Sequence, residues 1–139
     1  MKILIALDGS APSLRVLRFI LRHHVASDGA EVTLVHVDTP LNGHIASYLD
    51  ATAVRDYHAA NGAKAMLGAR RVLRDADVVH EEELRVGDAA DEIASLGRRR
   101  RFDMIAMGSH GRGAIGTTLL GSVVQKVLAR SKLPVLVVR

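Results

Sequence analysis

A cluster of glycines near the carboxyl end of the chain is the stretch best suited to binding chemistry. Glycine has no Cβ, so its backbone amides can turn toward a ligand and approach it closely. A short apolar run precedes the cluster, and an amphipathic helix is expected to begin near Ser122. A strand, a glycine-rich loop and a helix N-terminus together bind phosphate, because unpaired amides and the positive end of the helix dipole face the anion. The stretch predicts a phosphate cradle for a nucleotide, and its five glycines are Gly108, Gly111, Gly113, Gly116 and Gly121.

Two familiar phosphate motifs fit this stretch poorly. Gly116 and Gly121 have the spacing of a Walker A loop, but no lysine follows the second glycine to reach the phosphates. Gly111, Gly113 and Gly116 match the dinucleotide fingerprint, which belongs in the first strand-to-helix turn with an acidic residue about twenty positions on. Here no Asp or Glu follows Asp103. Both motifs are therefore set aside.

Composition indicates one globular domain. The 139 residues are 48% hydrophobic and 24% charged, which is ordinary for a soluble protein. The absence of cysteine excludes a disulfide framework, a thiol nucleophile and a cysteine zinc site. The apolar start of the chain stops at Asp8, too soon for a membrane span, and lacks the features of a signal peptide. We expect a cytoplasmic protein with no membrane association.

The hydrophobic pattern alternates between strands and helices. It predicts strands at residues 2–7, 31–37, 78–86, 103–107 and 134–138. It predicts helices from residue 13 to about 26, from about 46 to 75 with a possible break near Gly62, from 88 into the arginine block, and from about 122. Ser10 is the expected N-cap of the first helix, and Ser122 of the last. This order implies an α/β domain whose parallel sheet carries helices on both faces.

Three positions are expected to meet at one edge of that sheet. Asp8, Val37 and Gly108 each fall where a strand ends. Open parallel sheets bind ligands at the carboxyl ends of their strands, where the strand order reverses. The third strand carries Glu81, Glu82 and Glu83 in a row, which suits an edge of the sheet rather than its centre.

A third glycine pattern fits at every fixed position. Gly108, two residues, Gly111, nine residues, and Gly121-Ser122 form a G-x2-G-x9-G-[ST] signature. With it, the chain resembles the universal stress protein family in its nucleotide-binding branch. The likeness covers essentially the whole chain, residues 1–139, including the first strand ending in Asp8, the Val86-Gly87-Asp88 turn and the apolar close at residues 132–138.

The resemblance implies a fold and a ligand. The fold would be a single-domain, open five-stranded parallel sheet of order 3-2-1-4-5, Rossmann-like and similar to the adenine nucleotide alpha hydrolases. The ligand would be ATP, or ADP or AMP, with Mg²⁺ or Mn²⁺ carried by its phosphates and Asp8 as the nearest metal candidate. Asp8 would lie beside the adenosine, and Val37 would meet the adenine through its backbone. The remaining contacts would come from Met107, Gly108, Ser109, His110, Gly111, Arg112, Gly121, Ser122 and Val123.

The resemblance also implies a homodimer and a regulatory role in the stress response. The last strand, from Pro134 to Val138, would pair with its copy, and its apolar sequence independently makes it a pairing liability if left uncovered. Nucleotide occupancy would change the surface offered to an unknown regulatory protein partner. No catalytic residue is assigned, because no positioned water, held metal or charge-neutralising group can be named. Any ATP hydrolysis is expected to be slow.

Two alternatives stay open. One is an enzyme of the same fold that hydrolyses or transfers from ATP, using His110 or Asp8. The other is a basic module that binds nucleic acid through the two arginine groups, although an aromatic content of 3% argues against base stacking. Nucleic acid is therefore an unlikely partner. These groups are Arg15, Arg18 and Arg22 on the first helix and the block from Arg98 to Arg101.

Overall fold

Five strands form one parallel sheet. The computed structural model describes residues 1–111 and 120–139. Its strands are β1 (Lys2–Ala6), β2 (Glu31–Asp38), β3 (His80–Val86), β4 (Met104–Gly108) and β5 (Val135–Val138). Their order across the sheet is β3-β2-β1-β4-β5, with every neighbouring pair parallel. The fold class and strand order implied by the sequence are confirmed.

Helices cover both faces of the sheet. They are α1 (Ala11–Ile20), α2 (Ala26–Asp28), α3 (Gly43–Ala46), α4 (Ala51–Asp75), α5 (Ala89–Arg99) and α6 (Ser122–Arg130). Ser10 caps α1 as predicted, accepting a hydrogen bond from the Ser13 amide. The prediction of one regular first helix was wrong in detail, because a π-helical turn, Leu21–Val25, lies between α1 and α2. No helix in the described parts of the chain is long and apolar enough to cross a membrane.

The sheet separates two apolar cores. On one face, α1 and α4 pack on the alternate side chains of β1 and β2, with Leu17, Met66 and Leu73 fully buried. On the other face, α5 and α6 pack on Leu4 of β1, Val35 of β2, and Ile105 and Met107 of β4. Each central strand thus contributes side chains to both cores, which explains its nearly continuous apolar sequence.

Gly62 does not break the long helix, and the prediction of a break there was wrong. α4 runs without interruption from Ala51 to Asp75, and residues 43–46 form the separate short helix α3. A Cβ at Gly62 would lie 2.7 Å from a methyl carbon of Leu84 on β3. The glycine leaves room for this exposed side chain, and α4 continues through it despite the low helix propensity of glycine.

The acidic third strand lies at an edge, as predicted. Arg100 from α5 bridges Glu81 and Glu83, with 2.7 Å between nitrogen and oxygen in both pairs. On the opposite face Arg70 from α4 contacts Glu82. Charges along this strand are thus matched by both covering helices, and a charged edge discourages pairing with another sheet.

Candidate functional site

The carboxyl ends of the three central strands meet at one edge. In the sheet register Ala6 lies opposite both Val35 on β2 and Met107 on β4. Asp8, Val37 and Ser109 lie two residues further along their chains, at the same edge. The strand order reverses between β1 and β4, which is where open α/β sheets form a ligand crevice.

Asp8 and Gly111 come into close contact in this crevice. The half-buried Asp8 accepts a hydrogen bond from the Ser10 amide, at 2.9 Å from its Oδ1. A Cβ at Gly111 would lie 2.8 Å from the other carboxylate oxygen, Oδ2. A side chain at position 111 would therefore displace the carboxylate, and only glycine leaves this space open.

Gly108 is held between two elements. It pairs with Val138 on β5, and the next amide, of Ser109, donates to the Val138 carbonyl at 2.8 Å. A Cβ at Gly108 would lie 3.0 Å from the carbonyl carbon of Pro12, in the first turn of α1. Met107 is buried in the core of the α5–α6 face. The end of β4 is thus fixed by β5 and by the start of α1.

The start of α6 offers backbone amides. Gly121 donates its amide to the Ser109 carbonyl at 2.7 Å, which folds the start of α6 back onto the end of β4. Gly121 is the N-cap, with φ −67° and ψ 155°, and no side chain caps the helix. Within the described residues, the amides of Ser122, Val123 and Val124 at the start of α6 have no hydrogen-bond acceptor. Unsatisfied first-turn amides are the feature that attracts an anion.

This geometry corrects one sequence prediction. Ser122 is the first residue of α6 rather than its N-cap, because the extended backbone of Gly121 takes the cap position. Val123 and Leu128 are exposed, and Val124 and Val127 are the buried pair. Val123 therefore lies on the open side of the helix.

Of the remaining predicted site residues, the structure describes Ser109, His110 and Val37 but not Arg112. The Ser109 hydroxyl is buried and lies 2.9 Å from Nδ1 of the half-buried His110. Arg112 lies outside the described residues, as do Gly113 and Gly116. Val37 is half-buried and packs its side chain against the core of the α5–α6 face.

A polar cluster beside the end of β2 was not predicted. Asp38 Oδ2 accepts hydrogen bonds from His58 Nδ1 at 2.7 Å and from Asn61 Nδ2 at 2.8 Å, both on α4. Burial opposes ionisation of the Asp38 carboxyl, but the bonds from His58 and Asn61 and the nearby imidazoles outweigh it, so its pKa is lowered. His36, two residues earlier on β2, places its Nδ1 2.9 Å from the Leu7 carbonyl.

The sequence carried little signal for this cluster. Asp38 and His58 are separated by 20 positions and by a loop whose course depends on tertiary packing. His58 and Asn61 are three residues apart on a helix, so they share a face, but the spacing alone names no partner. Only the fold brings the carboxylate to them.

Metal ligands are not gathered in the described part of the chain. Among residues 1–111 and 120–139, no group of three or more His, Cys, Asp or Glu could hold a metal ion. Within those residues Asp8 is therefore not a member of a preformed metal site.

A cavity of about 470 Å³ lies at the opposite end of the sheet. Its walls come from the amino ends of β1, β2 and β3, together with Val25, Val78 and Phe102. The cations that line it are already matched, with Lys2 3.7 Å from Glu31 and Arg100 2.7 Å from Glu81. Among the described residues that line it, Gly29 is the single glycine.

The two arginine groups differ in their surroundings. Arg15, Arg18 and Arg22 are all exposed on the first helix. In the second group, Arg100 is engaged by two glutamates of β3, so the charge of this block is partly neutralised within the fold. The block is therefore a weaker nucleic-acid candidate than its sequence indicates.

These features define a class of protein: an open, parallel α/β fold with a glycine-lined crevice at its switch point. The family model described as the universal stress protein family matches residues 1–139. A universal stress protein of Thermus aquaticus, encoded in the QAH/OAS sulfhydrylase 3′ region, is 30% identical over 139 residues, covering 99% of this chain and 97% of that one. The chain belongs to the universal stress protein family.

Solved structures agree on the fold. The structure of the protein MJ0577 of Methanocaldococcus jannaschii superimposes with a TM-score of 0.82 at 27% identity, covering 99% of this chain and 94% of that one. A universal stress protein of Archaeoglobus fulgidus, solved in complex with dAMP, gives a TM-score of 0.72 at 22% identity, covering 100% of this chain and 98% of that one. The latter likeness concerns the fold alone.

Proposed function

We propose that this protein binds an adenine nucleotide at the carboxyl edge of its sheet and acts as a homodimeric regulator in the cytoplasmic stress response. The chain would belong to the nucleotide-binding branch of its family, with the G-x2-G-x9-G-[ST] signature as the cradle. The observation that carries the proposal is the start of α6, whose amides lack partners within the described residues and whose N-cap, Gly121, lies next to Gly111. dAMP in the Archaeoglobus fulgidus protein makes adenine nucleotides the first ligands to test.

Each part of the crevice has a role in this proposal. The amides of Ser122 and Val123, with the Ser122 hydroxyl, hold the phosphates at the positive end of the α6 dipole. Gly121 lines the phosphate path without its amide, which is bound to the Ser109 carbonyl. Gly108 and Gly111 line the path of the ribose and phosphates. The missing side chain of Gly111 leaves open the space beside Asp8 Oδ2, whereas that of Gly108 lets β4 end against Pro12. The remaining contacts are assigned to Met107, Ser109, His110 and Arg112 along the phosphate path, Asp8 beside the adenosine, and the backbone of Val37 at the adenine.

A divalent cation fits only as a companion of the nucleotide. Asp8 supplies one carboxylate at the crevice, and a hard cation such as Mg²⁺ takes most of its other ligands from phosphates and water. With a single protein carboxylate, the site favours binding over turnover. ATP hydrolysis, if it occurs, is slow.

The binding experiment uses a pair of matched glycine variants. Purified protein is denatured, the released small molecules are identified by anion-exchange chromatography, and Mg-ATP, Mg-ADP and AMP are titrated calorimetrically into ligand-free protein. Gly111→Ala adds a methyl group 2.8 Å from Asp8 Oδ2, whereas Gly43→Ala adds one where no atom lies within 4 Å. We expect binding in the wild type and in Gly43→Ala, and a loss of at least tenfold in affinity, about 1.4 kcal/mol, in Gly111→Ala. Equal affinities in all three proteins would remove Gly111 from the site, and no binding in the wild type would end the proposal.

The dimer is proposed through β5. This strand pairs with β4 on one side, its four residues are half-buried in the single chain, and it forms the edge opposite the charged strand β3. Pairing with a second copy would satisfy its free edge. Leu136→Glu on β5 should give a monomer in sedimentation equilibrium, whereas Leu84→Glu on β3, which is 45% exposed, should not. A wild type that sediments as a monomer at all concentrations would contradict the dimer without affecting nucleotide binding.

A further inference from the structure

Asp38, His58 and Asn61 form a hydrogen-bonded cluster centred on the Asp38 carboxylate. The His58 and Asp38 side chains are 13% and 18% exposed, so the pair is largely removed from water. A single carboxylate oxygen receives both hydrogen bonds, at 2.7 Å and 2.8 Å. A polar cluster at a half-buried position is held in one arrangement, because an unpaired partner there would be costly.

The cluster lies where the base of a mononucleotide would fall. The phosphate cradle is at the end of β4, and β1 separates β4 from β2. Neighbouring strands are about 4.8 Å apart, so the end of β2 is about 10 Å from the cradle along the sheet edge. That distance is on the scale of a mononucleotide, and Asp38 directly follows Val37, the proposed contact of the adenine.

The carboxylate fixes the tautomer of the imidazole. An ionised Asp38 can only accept hydrogen bonds, and the lowered pKa of its carboxyl keeps it ionised at neutral pH. His58 Nδ1 must therefore carry the hydrogen. In the neutral ring the other nitrogen, Nε2, is then an acceptor.

His58 Nε2 is available to a ligand. It makes no hydrogen bond to any residue that the structure describes. It is also not among the buried polar atoms of those residues that lack a partner, so it is in contact with solvent. With a neutral His58 ring, the fold thus presents one hydrogen-bond acceptor beside the end of β2.

We propose that His58 Nε2 accepts a hydrogen bond from the exocyclic amino group of a 6-aminopurine, and that Asp38 is the positioning residue that keeps it an acceptor. The inference rests on the proposed nucleotide site. A 6-oxopurine presents a carbonyl oxygen at this position, so two acceptors would face each other. His58 is then a specificity-determining residue that favours adenine over hypoxanthine and guanine, in addition to any backbone contact from Val37.

A purely structural role would leave a different signature. If the cluster only fastened α4 to the sheet, a change at His58 would weaken the binding of every purine nucleotide alike. The informative quantity is therefore the ratio of AMP to IMP affinity, since these ligands differ at the 6-position and in the protonation of the adjacent ring nitrogen.

The first experiment measures that ratio by calorimetry in the wild type and four variants. His58→Phe keeps a flat ring but removes the acceptor, and Asp38→Asn leaves the imidazole free to take either tautomer. Asn61→Leu removes one hydrogen bond of the cluster without changing the tautomer, and His80→Phe alters an imidazole at the amino end of β3. We expect the AMP:IMP ratio to fall about tenfold, which corresponds to about 1.4 kcal/mol, in His58→Phe and by a smaller factor in Asp38→Asn. Asn61→Leu and His80→Phe should keep the wild-type ratio.

The outcomes distinguish a failure of this inference from a failure of the proposed nucleotide binding. A wild type that binds AMP, with the same AMP:IMP ratio in His58→Phe, overturns the inference and leaves the nucleotide site standing. A wild type that binds neither nucleotide overturns both. A fall in the ratio confined to His58→Phe and Asp38→Asn supports both.

A second measurement needs no nucleotide and also guards against a misfolded variant. Long-range ¹H–¹⁵N correlation spectra of the ligand-free protein report which nitrogen of each imidazole carries hydrogen. His58 should be the Nδ1–H tautomer in the wild type and a mixture in Asp38→Asn. A wild-type His58 that is mainly the Nε2–H tautomer would overturn the inference.

Discussion

Gly108 should be intolerant of even a methyl group, because both of its neighbours are fixed. A Cβ there would lie 3.0 Å from the carbonyl carbon of Pro12, 3.1 Å from its Cβ and 3.2 Å from its oxygen. Carbon atoms in favourable contact are about 3.5–4.0 Å apart, so the added Cβ would lie about 0.5 Å or more too close to the backbone of Pro12. Pro12 cannot retreat easily, since the Ser10 cap orders the first turn of α1. Gly108 in turn is paired with Val138 on β5.

The magnitude follows from two opposing terms. Overpacking a fixed site costs about 1–3 kcal/mol. Replacing glycine by alanine restricts the unfolded chain and returns about 0.4–1 kcal/mol. Gly108→Ala should therefore lower the free energy of unfolding by about 1–2 kcal/mol. For a domain of this size the melting temperature should fall by about 3–7 °C.

Urea unfolding followed by far-ultraviolet circular dichroism is the suitable assay, since the chain has no tryptophan and only 2 tyrosines. The matched control is Gly121→Ala, where the nearest atom to the added Cβ is 3.4 Å away and the contacts are ordinary. Its free energy of unfolding should stay within about 0.5 kcal/mol of the wild-type value, with the same m value. A Gly108→Ala protein as stable as this control would refute the claim that α1 and β4 are locked together at this point.

Three further variants test other parts of the fold. Gly62→Ala should be neutral or slightly stabilising in urea unfolding, because the crowded Leu84 side chain is 45% exposed and can rotate, while helix propensity gains about 1 kcal/mol; a loss above about 2 kcal/mol would contradict this. Asp50→Ala removes the side chain that accepts a hydrogen bond from the Ala53 amide at 2.7 Å and should cost about 1 kcal/mol, whereas Asp50→Ser should restore most of it. Asp38→Asn should lower the free energy of unfolding at neutral pH, because the lowered pKa of Asp38 means that its ionised form stabilises the fold. The difference in free energy of unfolding from the wild type should shrink as the pH falls through the carboxyl pKa of the unfolded chain, about 3.9, and then through the lowered native pKa. A difference that is constant from pH 7 to pH 3 would contradict this.

Strand positions were predictable from the sequence because each strand has its own local signal. Continuous apolar runs mark the buried strands, and the row from Glu81 to Glu83 marks an edge that two helices then neutralise. The order of the strands came from the family resemblance, since periodicity alone does not choose among topologies. Asp8, Val37 and Gly108 meet at the carboxyl edge because neighbouring parallel strands end there together. Their role in binding stays a prediction, and Arg112 lies outside the described residues.

The errors share a physical cause, which is that tertiary contacts override local preference. Gly62 was taken for a helix break because glycine is a weak helix former, but the space it leaves is filled by Leu84. Ser122 was predicted as the N-cap of α6 because serine favours that position. Gly121 is the N-cap instead, because its amide is hydrogen-bonded to the Ser109 carbonyl. In both cases the deciding atom belongs to a residue distant in sequence.

The corrected cap sharpens the case for an anion at this helix. A serine cap would have satisfied one of the first amides of α6 with its own side chain and so reduced what a ligand could gain. Gly121 supplies no side chain, and its amide is already bound, so the helix start is fixed in position while the amides that follow stay free of partners within the described residues. An anion-binding helix needs both properties, because a mobile start would have to be ordered on binding and a capped start would have little left to offer. Gly121→Ser should therefore retain the fold yet compete with phosphate for the same amides, weakening nucleotide binding without the steric block of a larger side chain.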